Sequence, residues 1–282
     1  MILRDYHMHT TWCDGSASAE EMVKAAVDQG LDEVGISGHS YTFFDESYCM
    51  TEEDTLAYRE ELGRLREEYA DRISLKVGIE QDCWSEADTG EYDYVIGSVH
   101  YVRIPAPGKK EGEEMGEGEE IPEGVLSFGD WLYLPVDETA KLQQAIAGRF
   151  FGGDMIAFAE RYFADAARVC EETKCDLIGH FDLITKFNEG GALFDEEDPR
   201  YVAAWKKAAD RLLEANVPFE INTGAMSKGY RSRPYPSDNI RSYLRERGAR
   251  FILSSDSHRT DTLCFAFDRY EEEVDPLDHP GR

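Results

Sequence analysis

The sequence predicts an α/β fold, a closed barrel of parallel strands with a helix after most of them. Three observations carry this expectation. Seven short segments show the alternating or continuously apolar pattern of β-strands. Helical patterns lie between most of them, and strands alternating with helices indicate a parallel sheet with crossover connections. The residues best suited to chemistry fall at the carboxyl ends of those strands, the face that carries the active site in a β/α barrel. A chain of 282 residues, 41% hydrophobic, can bury a full core, and residues 1–282 are expected to form one domain.

The elements follow in order. ILRDYH (2–7) alternates apolar and polar residues and reads as the first strand. Ser18 with Glu21 three residues later forms a capping box, opening a helix over 19–29 that Gly30 closes. The second strand, DEVGIS (32–37), stops at Gly38. Residues 51–71 set Leu56, Leu62 and Leu65 on one helical face, with charges on the solvated face. Strands three and four lie at 73–80 and 92–100. Residues 103–124, RIPAPGKKEGEEMGEGEEIPEG, break the scheme. They are rich in Gly, Pro and Glu, cannot bury apolar surface, and read as a flexible insertion. The GKK within them is not a phosphate loop, because the following Ser or Thr and the upstream glycine spacing are missing. A helix over 154–173 leads to strand five at 175–180. Helices over 198–215 and 237–247 precede strands six (217–222) and seven (249–256).

Composition excludes several functions. The formal net charge is −28, whereas a nucleic-acid or anionic-membrane binder needs a basic footprint. No stretch approaches 18 consecutive apolar residues, and the first ten residues lack a signal-peptide core, so a cytoplasmic protein is expected. The six cysteines include no C-x-x-C pair and are expected to be reduced.

Six of the seven histidines sit at strand ends. His7 and His9 end the first strand, His39 follows the second, His100 ends the fourth, His180 the fifth and His258 the last. Asp14, Glu80 and Asp256 join them. Nine mixed nitrogen and oxygen ligands exceed what one ion takes, since zinc usually has four. Two ions are the minimum and three fit better. Imidazole with carboxylate suits zinc, manganese or iron more than magnesium or calcium.

HMHT, GHS, GIE, GSVH, GHFD and SDSH occur here in the order typical of the PHP superfamily, named for polymerase and histidinol phosphatase domains, and the chain resembles that family over nearly its whole length. The resemblance implies a distorted (β/α)7 barrel. It also implies metal ligands at His7, His9, Asp14, His39, Glu80, His100, His180, Asp256 and His258, with none substituted. GHFDLITKFN (179–188) and EINTGAMSKGYRSRPYPS (220–237) look most like the histidinol-phosphate phosphatase branch.

That branch implies a metal-dependent phosphomonoesterase acting on L-histidinol phosphate in histidine biosynthesis, through attack of a metal-bridging hydroxide on phosphorus. Glu80 is expected to bridge ions, and Asp256 and His258 to share in catalysis. Phosphate oxygens need cationic donors, for which Arg161, Arg233 and Lys228 are the candidates. Glu220 and Asn222 are candidates for the substrate's cationic end. Another PHP phosphoesterase, cleaving nucleotides, oligonucleotide ends or phosphotyrosine, is the alternative. A non-catalytic metal-binding domain agrees less well with the intact ligand set. No G-x-S-x-G elbow supports a serine hydrolase. The expected partner is a small phosphate ester, with neither nucleic acid nor membrane. Oligomeric state is not legible in the sequence.

Overall fold

The computed structural model describes residues 4–107, 121–275 and 278–281. Seven strands form one parallel sheet. They are β1 (Arg4–Asp5), β2 (Glu33–Ile36), β3 (Ser74–Asp82), β4 (Tyr94–Ser98), β8 (Leu177–Ile178), β9 (Phe219–Asn222) and β10 (Phe251–Ser254), adjacent in that order. Each lies inside a segment expected from the sequence, except that β3 runs two residues past the expected 73–80, to Asp82. Beyond the last strand the sheet curls back on the first. The Met8–Ser257 bridge joins them, with His9 N donating to Ser257 O at 2.8 Å and Ser257 N to His7 O at 3.1 Å. Buried Asp5 fastens the same seam by accepting from the backbone N–H groups of Ser255 and Cys264, each at 3.0 Å. The result is a near-closed seven-stranded barrel.

The helices pack outside. α1 (Ala19–Asp28) has the capping box at Ser18 and Glu21, and α2 (Glu52–Glu68) has a second at Thr51 and Asp54. On α2 the buried stripe is Tyr58, Leu62 and Leu65, while Leu56 is exposed. The expected Leu56 face is therefore one position out of phase: Tyr58, four residues before Leu62, occupies the inner row. The helix expected over 154–173 is two, α4 (Met155–Ala166) and α5 (Val169–Thr173), parted where Arg168 N bonds Asp165 O in a tighter turn. α6 (Pro199–Leu213) and α8 (Asp238–Glu246) complete the outer layer after β8, while the short α7 (Gly224–Ser227) follows β9 at the barrel mouth.

A second, smaller sheet lies at the borders of the expected insertion. β5 (Tyr101–Pro105), β6 (Leu126–Phe128) and β7 (Trp131–Pro135) form an antiparallel sheet, followed by α3 (Ala140–Phe150). Arg103–Pro105, expected within the flexible segment, pair with Trp131–Tyr133. The alternation in TyrValArgIlePro is diluted by Arg and Pro, which hid the strand. Residues 108–120 of the expected insertion lie outside the described residues.

Inside the barrel, Tyr6, Tyr94, Ile96, Leu177 and Ile252 form a core of their own, separate from the larger one beneath the helices. Tyr94 is its centre, and its hydroxyl donates to Tyr6 O at 2.5 Å. Gly35 on β2 and Gly78 on β3 make room, since a Cβ at either would overlap the Tyr94 ring. Overpacking a core typically costs about 1–3 kcal/mol. Gly78→Ala is therefore expected to lower unfolding free energy by about 3 kcal/mol in chemical denaturation, and Tyr94→Leu in the same chain to restore part of it. Additive losses in the double variant would contradict this packing.

Candidate metal centre

Strand geometry sets the first two imidazoles. Successive side chains alternate faces, so His7 and His9 share the barrel mouth while Met8 turns into the outer core. The chain then doubles back. Cys13 N and Gly15 N both donate to Thr10 O at 3.0 Å, and a Cβ at Gly15 would collide with the His9–Thr10 backbone. This turn returns Asp14 to the mouth, where its Oδ2 lies 3.1 Å from His258 Nε2 and its Oδ1 lies 3.5 Å from His9 Nδ1. Asp256, beyond β10, has a left-handed φ of 50° and sits against Gly224, where a Cβ would press on its carboxylate at 2.8 Å. A non-glycine residue in that region signals a site held by its surroundings.

Glu80, at 1% exposure, is the hub. Its Oε2 lies 3.1 Å from His7 Nε2, 3.4 Å from His9 Nε2 and 3.0 Å from His39 Nδ1. Its Oε1 lies 2.9 Å from His180 Nε2 and 3.4 Å from His100 Nε2, and accepts from Ser98 Oγ at 2.6 Å. Burial raises the Glu80 carboxyl, but the imidazoles of His7, His39 and His100 outweigh it and hold the group well below the usual carboxylate range. Asp256 is likewise depressed against burial, by Lys228 and then His7. Burial and the imidazoles of His258 and His39 push His9 down to about 3, so at neutral pH it presents a lone pair.

The donor set fits metal ions. Three groups bring ligand atoms within 4.8 Å of one another: His9, Asp14, His39 and His258; His7, His9 and Asp256; and His39, Glu80 and His100. Eight of the nine expected ligands fall in these groups, and His180 touches Glu80. His7 Nε2 and His9 Nε2 are buried and make no hydrogen bond, although carboxylate oxygens face both. Buried imidazole nitrogens without hydrogen-bond partners, gathered with carboxylates in a dry site, are what a divalent cation would reconcile.

Outer partners fix the rings. Glu220, fully buried on β9, lies 2.6 Å from His7 Nδ1 and accepts from His180 N at 2.8 Å. Asn222 donates to Glu220 at 2.9 Å and to Asp256 at 3.4 Å. Glu220 and Asn222 are thus spent on orienting ligands and do not reach toward a substrate. Asp82 lies 3.4 Å from His100 Nδ1, and Cys13 Sγ lies 3.5 Å from His9 Nδ1. Such partners raise ligand basicity and hold the ring orientation. Asp82 was detectable, being two residues past Glu80 on one strand. Glu220 was not, because its role depends on a neighbouring strand.

The centre opens into a cavity of about 330 Å³. Lys186 and Lys228 line it, and Asp45, Asp137 and Glu138 line it too. Lys186 pairs with Asp137 at 3.0 Å. Of the expected phosphate residues only Lys228 is here. Arg161 points outward on α4, donating to Arg103 O at 2.7 Å and pairing with Asp165 at 2.7 Å. Arg233 is half exposed, pairs with Asp238 at 3.3 Å and lines a separate depression. Arg161 ties α4 to β5, Arg233 pairs locally with the start of α8, and the cavity's cations are lysines. Lys186, missed in the sequence, stands six residues after His180 in GHFDLITK, a short turn back over the mouth.

Comparison with known proteins agrees with this architecture. A Deinococcus radiodurans protein named "Probable histidinol-phosphatase" is 28% identical over 276 residues, covering 94% of this chain and 90% of its own. The histidinol-phosphatase of Bacillus subtilis is 21% identical, covering 96% of this chain and 99% of its own. A Lactococcus lactis histidinol phosphate phosphatase, solved with zinc, L-histidinol and phosphate, superposes with a TM-score of 0.65 at 18% identity, over 98% of this chain and 94% of its own. The family model described as PHP domain matches residues 5–224, which include seven of the nine converging histidines and carboxylates, and this chain belongs to that family.

Proposed function

We propose that this protein is a metal-dependent phosphomonoesterase that releases phosphate from L-histidinol phosphate. The observation that carries the reading is three overlapping ligand groups around one carboxylate, opening on a cavity that holds two ammonium groups beside three acids. Relatives named histidinol-phosphatase along more than nine-tenths of this chain support it, as does the neighbour solved with L-histidinol and phosphate. Two or three ions, zinc, manganese or iron, fit the donors. Bound there, they would supply a water acidic enough to attack at neutral pH and neutralise phosphoryl charge.

The chain's own groups divide the remaining work. Glu80 has one oxygen toward His7, His9 and His39 and the other toward His100 and His180, so it suits a bridge between ion positions. Asp256 and His258 line the cavity beside Lys228, where the reacting phosphate would lie. Lys228 and Lys186 donate to its outer oxygens. Asp45, Asp137 and Glu138 accept the ammonium and imidazole of the organic end.

Phosphate release from metal-loaded protein tests the reading. Histidinol phosphate is expected to exceed nucleoside monophosphates and phosphotyrosine in kcat/KM, and a reversed order would overturn the assignment. Elemental analysis is expected to find two or three ions per chain, and His39→Ala to lose about one, because His39 joins Asp14 and His258 in one group. Glu80→Gln should abolish turnover with the fold intact, since an amide cannot share two anionic oxygens between cations. Wild-type activity at full metal occupancy would remove the bridging role. Losing a charge-assisted hydrogen bond costs about 1.5–3 kcal/mol, or roughly 10- to 150-fold in kcat/KM. Lys186→Met and Lys228→Met should each fall in that range with metal content unchanged, while Arg233→Met stays near wild type.

A further inference from the structure

At the end of β8 opposite His180, two thiols touch. Cys170 Sγ and Cys175 Sγ lie 3.5 Å apart. The contact is built by the end of α5. Lys174 takes a left-handed φ of 54°, its N–H donates to Cys170 O at 3.2 Å, and the chain reverses to lay residue 175 beside residue 170. Cys175 is 6% exposed and packs on Gly97 of β4, where a Cβ would meet its sulfur at 2.8 Å. Cys170 is half-buried at the surface.

The other thiols face nitrogen or oxygen. Cys13 sits against His9, Cys49 against Asp45 O, and Cys83 against Asp165 O. Cys264 lies beside Asp5. Among the described residues no metal-holding group contains a cysteine, so a thiolate metal site does not explain the pair.

We propose that Cys170 and Cys175 form a redox-modification site, which peroxide converts to an intrachain disulfide. The reactive species is a thiolate. A hydrogen bond from Cys170, and a weaker one from Thr173, hold Cys175 below the ordinary thiol value despite burial. Cys175 is 6% exposed beside the half-buried Cys170, so the oxidant must be as small as hydrogen peroxide. The Cys175 thiolate attacks one peroxide oxygen, the O–O bond breaks, and Cys175 becomes a sulfenic acid. The departing hydroxide takes the Cys170 proton and leaves as water. The Cys170 thiolate then attacks the Cys175 sulfur, and the S–O bond breaks. The second hydroxide takes up the proton that Cys175 had earlier lost, giving a second water. Two thiols lose two electrons and two protons, and one peroxide becomes two waters. The sulfurs need approach by only about 1.5 Å to reach bonding distance.

The test uses the full chain, treated with hydrogen peroxide, alkylated under denaturing conditions, cleaved after Lys and Arg, and read by mass spectrometry. The expected product links peptide 169–174 to peptide 175–186 with the loss of two hydrogens, reversed by a dithiol. Cys13, Cys49, Cys83 and Cys264 should remain alkylated. Cys170→Ser should stop at a sulfenic acid on Cys175 that a dimedone probe traps. In Cys175→Ser, Cys170 should oxidise at least ~10-fold more slowly, since it loses its thiolate partner. Equal oxidation of all six cysteines, or undiminished oxidation of Cys170 in Cys175→Ser, would overturn the proposal. The wild-type peptide result decides the matter alone should either variant fail to fold.

Discussion

The structure depends on one carboxylate held among imidazoles. Glu80 stands near the end of β3 at the barrel mouth and lies within 3.4 Å of ring nitrogens from five histidines, contributed by the loops after four different strands. A bare carboxylate buried this deeply would be driven to protonate. The surrounding rings prevent that, and in turn the carboxylate keeps nitrogens from separate strands facing one point. Every other placement serves this hub. Gly15 lets Asp14 return to it, Gly224 cradles Asp256, and Ser98 anchors the oxygen nearest His180.

Around the hub lies a layer of fixed acceptors. Glu220 is the most demanding of them, because a fully buried carboxylate must be satisfied on both oxygens. It bonds His7 and Asn222 through side chains and His180 through its backbone. The burial penalty on Glu220 is offset by His7, which keeps the group depressed and ionised. Beyond this layer the cavity carries both signs of charge, Lys186 and Lys228 lining it together with Asp45, Asp137 and Glu138. Such a mixed lining suits a zwitterionic ligand better than a polyanion.

Much of this was legible in the sequence, for identifiable reasons. Strands and capped helices carry local signals, such as the alternation in ISLKVGIE and the Ser18–Glu21 box, and these predict elements within a few residues. The converging histidines were legible because they stand beside strand ends, whereas Asp14 reaches them only through the turn at Gly15. What failed depends on side-chain reach. Arg161 has the type and helical setting of a phosphate donor, but helix phase turns it toward Arg103 and Asp165. Arg233 lies five residues past Lys228, yet the loop carries it to another depression. Glu220 and Asn222 look alike as strand-end polar residues whether they meet ligand or substrate, and only the neighbouring strand decides. The small sheet of β5, β6 and β7 was masked by the Gly- and Glu-rich run between its strands.

The seam between β1 and β10 has a consequence in time. His7, His9 and Asp14 come from the first residues of the fold, whereas Asp256 and His258 come from beyond its last strand. A group such as His9, Asp14, His39 and His258 therefore has no partial version along a growing chain. During synthesis six strands can emerge while three of that group's four donors wait for the fourth. Contacts of such long sequence separation form late and slowly. An ion bound there would fasten the first strand of the barrel to the last, so the event that arms the site would also report that the barrel is closed.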